Sequence, residues 1–113
     1  MADDARSDDE ATPDVDGTNA DEEPLALDDG VARIHDHLRA TERLPLSPGA
    51  NRWLGEATAV VADLDGADLD EATVRERLGH VRRLLSEVDE TGHSEGDDHV
   101  VAVRALVERL LRE

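Results

Sequence analysis

Cysteine is absent from the 113 residues, and so are lysine, phenylalanine and tyrosine. Each absence excludes something. Without Cys there is no disulfide framework, no thiolate zinc site and no cysteine nucleophile. Without Lys, all 12 basic side chains are Arg. Trp53 is the whole aromatic content, so the core must be built from aliphatic side chains. Apolar runs are only a few residues long, so no segment is expected to span a membrane. The N-terminus opens on acids rather than on basic residues followed by an apolar stretch, so no signal peptide is expected and the compartment reads as cytoplasmic. A basic stripe is also missing, which argues against binding to a nucleic-acid backbone.

What the chain has in excess is negative charge. It carries 29 acids against 12 Arg, a net charge of -17. Such charge keeps a protein soluble but makes the compact state repel itself. Concentrated salt shortens the Debye length to about 3 Å at 1 M and silences that repulsion. Arg also holds carboxylates in bidentate pairs that Lys cannot form. The composition therefore fits a salty cytosol. Two rival readings are an acidic mimic of nucleic acid and an acidic interaction arm. The bias runs through the whole chain, which favours adaptation to salt.

The composition breaks near residue 28. Residues 1–30 hold 12 acids, one Arg, Pro13, Gly17 and Pro24, with few large apolar side chains. Such a stretch cannot bury enough surface to offset its ordering entropy. It reads as a disordered acidic tail over residues 1–27, ahead of a domain over residues 28–113.

That domain reads as all-α, with four amphipathic helices. The first is expected from Gly30 to Arg43, capped by Asp28 or Asp29, with Val31, Ile34, Leu38 and Thr41 as its seam. The second has Ser47 as cap and Pro48 at its first position, and Gly66 as its stop. Ala50, Trp53, Leu54, Ala57, Val60, Val61 and Leu64 follow its inner face. The third opens on Asp68 and Glu71 at capping-box spacing and carries Val74, Leu78, Val81, Leu85 and Val88. A polar loop from Asp89 to Asp97 precedes the fourth, whose stripe is Val100, Val103, Leu106, Val107, Leu110 and Leu111. No segment alternates with period two over strand length. An antiparallel bundle buries these stripes most simply. A folded part of about 83 residues buries only some 60–65% of its unfolded surface, so stability is expected to be marginal. A second copy or another protein is the expected complement, and a homodimer is the commoner solution.

Polar residues near the seams are the candidates for chemistry. His35, Glu42 and His99 supply two imidazoles and a carboxylate, the donor types of a catalytic zinc site. No His-x-x-x-His pair exists, and the spacing of His35 and His37 points them to different faces, so half-buried, locally bonded histidines are the competing reading. Arg77 lies toward the seam of the third helix and is expected to run its stem along it to a surface acid. Arg75, Arg82 and Arg83 interleave with Glu71, Glu76 and Glu87 as a salt-laced face. Trp53 reads as core, with a minority reading as a binding hot spot beside Arg52. Gly79 is either drift or a close approach. Asp63, Asp65, Asp68 and Asp70 do not meet the order of a calcium loop. No phosphate loop, dinucleotide fingerprint or nucleophile elbow is present.

The stretches IHDHLRATERLPLSPGANRWLGEATAVVADL (34–64) and HVRRLLSEVDETG (80–92) resemble a family of small acidic haloarchaeal proteins of unknown function. The resemblance covers about residues 31–112. It implies a haloarchaeal cytosol and a helical domain, and it carries over no functional residue and no cofactor. The expectation is a non-enzymatic protein-interaction or self-associating module, free of nucleic acid and membrane. The alternative is a small-ligand or metal-binding protein using the seam histidines.

Overall fold

The computed structural model describes residues 25–112. Four helices follow one another: α1 (Leu27–Thr41), α2 (Pro48–Leu64), α3 (Glu71–Ser86) and α4 (Ser94–Arg112). No strand occurs among the described residues. The helices form an antiparallel four-helix bundle, as the amphipathic patterning predicts. Each helix packs on two others, and α1 closes the ring against α4. The core is aliphatic throughout. Ile34, Leu38, Leu54, Leu78, Leu85 and Leu110 are its largest fully buried side chains. Residues 1–24 of the expected acidic tail lie outside the described residues.

The helix ends show where local sequence rules hold and where they slip. At α2 the expected cap is realised: the Ser47 hydroxyl accepts from the Ala50 N–H at 3.3 Å, with Pro48 following. The helix ends at Leu64, and Gly66 just beyond it, the expected stop, has a φ of +77°, a left-handed conformation that side chains disfavour. At α1 the expected cap is not used. The helix starts at Leu27 with Ala26 as an N-cap that makes no side-chain bond. Asp28 and Asp29 instead sit inside the first turn, where carboxylates favour the positive end of the helix dipole.

The start of α3 is also shifted. Asp70, not Asp68, accepts from the Thr73 N–H at 2.8 Å. The helix begins at Glu71, so the side chain just before it is the one within reach of that amide. The largest shift is at α4, which starts inside the segment expected to be a loop. The Asp97 carboxylate accepts from the Thr91 N–H at 2.8 Å, and the Asp97 N–H donates to the His93 carbonyl at 2.9 Å. These bonds turn Ser94–Asp97 into a first helical turn. The Ser47 N–H donates to the Thr91 carbonyl at 2.7 Å, tying this loop to the start of α2.

Two glycines mark close approaches. A Cβ on Gly30 would stand 2.6 Å from a Leu110 methyl, and one on Gly96 would stand 2.7 Å from the Thr91 hydroxyl and 2.8 Å from a Leu46 methyl. Gly79 faces open space, so no packing contact accounts for it.

Arginines close two helix ends. A helix leaves its last carbonyls without intrahelical partners. Arg104 of α4 donates to the carbonyls of Leu85 and Val88 at the end of α3. Arg75 of α3 donates to the Leu110 carbonyl at the end of α4. The antiparallel pair thus caps itself reciprocally. Arg77, expected to lie along the seam, is exposed instead. The buried line of α3 runs through Val74, Leu78, Val81 and Leu85, and Arg77 falls on its outer side.

Candidate functional site

Two features of the bundle offer chemistry, and they lie on different parts of it. The first is a solvent-open cleft of about 550 Å³ where the start of α1 meets the α2–α3 connection. Its floor is apolar: Leu27, Val31, Leu64 and Val74 line it, with Leu69 at the edge. Leu69 is 43% exposed, one of two large hydrophobic side chains so open to water among the described residues. The acidic residues Asp28, Asp68 and Glu71 line the same cleft. Local folding explains the arrangement. Asp28 and Glu71 occupy the first turns of α1 and α3, so two helix N-termini deliver acids to one place. The turn at Gly66 then brings Ala67, Asp68 and Leu69 across the end of the bundle. Such a surface can receive an apolar side chain flanked by positive charge.

The second feature is a set of histidines that the sequence places two residues apart and the bundle separates. His35 Nδ1 donates to the carboxylate of Asp65 at 2.7 Å, fastening α1 to the C-cap of α2. His37 faces the other way. Its Nδ1 lies 2.9 Å from Nδ1 of His99 on α4. The ring centroids are 5.2 Å apart and the planes tilt by 55°. His99 Nε2 lies 3.7 Å from Glu95, one turn earlier. Burial holds His37 below the ordinary imidazole range; the neighbouring His99 adds to that, and Asp36 opposes it.

The trio His35, Glu42 and His99 is therefore not assembled. His35 is engaged with Asp65 and His99 with His37, while Glu42 is the exposed C-cap of α1. No group of three or more His, Asp or Glu placed to hold a metal ion occurs among the described residues. Trp53 is half-buried against the core and does not line the cleft. The Arg52 guanidinium lies 4.9 Å from the centre of its ring. No single periodicity in the sequence joins the walls of the cleft. Its one visible signal was Leu69, an apolar residue among Asp65, Asp68 and Asp70 that belongs to no helical stripe.

Fold and sites together define a small all-helical bundle with an acid-rimmed apolar cleft at one end. The chain belongs to the family described as Domain of unknown function (DUF8152), whose model matches residues 30–113. No curated protein and no solved structure matches the chain. No described helix is long and apolar enough to cross a membrane.

Proposed function

We propose that this domain works by binding rather than by catalysis. Its occupant is a basic segment of another protein that places an apolar side chain in the cleft. One observation carries the reading: apolar floor and carboxylate rim meet in a single open cleft. Burying the side chain supplies the driving force, at about 25 cal/mol per Å² of apolar surface. The acids select a cationic flank by pairing with it at contact range and reject an acidic one. A second copy of this chain is a poorer occupant, because it would set carboxylates against the acid rim at contact distances, which salt screens least. The acidic composition supports the halophilic setting, a haloarchaeal cytosol in which salt screens the net charge of -17.

The test uses the full chain, an amphipathic Leu/Arg peptide, and the same peptide with Glu in place of Arg. Nuclear magnetic resonance shifts on titration should cluster at Leu27, Leu69 and Val74 with the Arg peptide only. Asp68→Lys, in the connecting loop and outside any helix, should weaken binding while leaving helicity unchanged. Equal binding of the acidic peptide would overturn the reading. So would a concentration-dependent dimer that covers the cleft.

A further inference from the structure

The contact between His37 and His99 needs a proton in a particular place. Two imidazole nitrogens 2.9 Å apart form a hydrogen bond only if one carries hydrogen and the other a lone pair. The carboxylate of Glu95, 3.7 Å from Nε2 of His99, favours hydrogen on that nitrogen. It leaves Nδ1 of His99 as the acceptor and Nδ1–H of His37 as the donor. A first added proton can settle on Nε2 of His37 without touching this bond. A second must go to Nδ1 of His99, where two N–H groups would then face each other between two positive rings.

The surroundings do not dissolve that conflict. The charged groups facing the pair are Asp36, on the same helix as His37, and Glu95, on the same helix as His99. Among the described residues neither α2, packed on α1, nor α3, packed on α4, brings a charged side chain into hydrogen-bond or ion-pair contact with either ring. Both rings are shielded: the His99 side chain is 21% exposed, and His37 is half-buried. Metal chelation is a poorer fit. The rings meet nitrogen to nitrogen, so each Nδ1 points at the other rather than at a shared third position.

We propose that His37 and His99 form a proton-operated latch across the α1–α4 seam. It stays closed while the pair holds at most one added proton and opens when both rings become imidazolium. The seam it guards is the closing contact of the helical ring, backed by Ile34 and Leu38 on α1 and Val103 and Val107 on α4. Opening it would present those side chains to water without altering the α2–α3 half. The latch does not depend on the cleft reading, since it concerns a different seam.

Hydrogen exchange of the full chain in concentrated potassium chloride, between about pH 8 and pH 5, tests it. Most carboxylates titrate below that window. Protection of α1 and α4 amides should fall as pH drops. The fall should be about tenfold for each pH unit by which opening the latch eases protonation of the pair. After correction for the intrinsic exchange rate, α2 and α3 should change less. His37→Gln and His99→Gln should each abolish that local pH dependence. Should a variant fail to fold, nitrogen-15 shifts of the wild-type rings decide instead. Two separated protonation steps shared by the two rings support the latch. A single common step at the ordinary imidazole value, or unchanged protection in α1 and α4, overturns it.

Discussion

Arg104 donates to the carbonyl of Val88 at 2.5 Å, and the same nitrogen reaches the Leu85 carbonyl at 2.7 Å. A side chain in the middle of α4 thereby closes the end of α3. Arg104→Met keeps the stem and removes the donors. The loss should be about 1 kcal/mol, below the usual range for charge-assisted bonds because the residue is exposed. Arg104→Lys should recover less than half, since an ammonium lacks the planar fork. Urea unfolding followed by circular dichroism measures both. An Arg104→Met midpoint equal to wild type would show that water replaces the clamp.

Glycine substitutions should split by environment. Gly55 and Gly79 sit inside helices with nothing near a built Cβ. Gly55→Ala and Gly79→Ala should each stabilise by about 1 kcal/mol, nearly additively. Gly96→Ala should destabilise by about 1–3 kcal/mol, because the new methyl meets the Thr91 hydroxyl that organises the α3–α4 loop. Gly30→Ala should cost less than Gly96→Ala, since it meets only the methyl end of Leu110. Thermal midpoints at fixed salt rank the four.

Salt should act on the whole domain. Net repulsion weakens as potassium chloride rises, so helical circular dichroism should fall on dilution and return when salt is restored. A chain fully folded in dilute buffer would remove the case for a salt-adapted fold.

Acid should act through Asp97. Hydrogen bonds from the Thr91 N–H and hydroxyl, with a smaller contribution from His93, hold its carboxyl below the usual range. The group favours the folded state fully above its unfolded pKa, and that contribution is lost as pH falls through the lower folded value. Asp97→Asn cannot ionise and should shrink this acid limb; Asp70, whose carboxyl Thr73 also holds below the usual range, keeps a part of it, and the response between about pH 5 and pH 8 is left to the histidines. Urea midpoints measured against pH, wild type beside variant, would show whether the limb shrinks.

Much of the bundle was legible because its signals are local. Ser47–Pro48 marks a helix start within two residues, and stripes such as Val74–Leu78–Val81–Leu85 survive small errors in boundary. The α4 start was not legible. Asp97 is helical only because its carboxylate finds Thr91, six residues back, across a turn rich in small polar residues. The histidines show the same division. Their spacing of two was enough to send His35 and His37 to different faces. It could not say that one face meets Asp65 and the other His99, because those partners lie 30 and 62 residues away. The cleft was hidden for a related reason. Its walls come from one helix start and one connection, which no single periodicity joins.

The contact between Gly30 and Leu110 also has a topological consequence. Because the last helix lies against the first, both ends of the described chain emerge at the same pole of the bundle. A short peptide could join them, and the ring could be reopened at the α2–α3 turn without cutting a helix. The folding information would then reside in the cyclic order of the four helices rather than in which of them comes first.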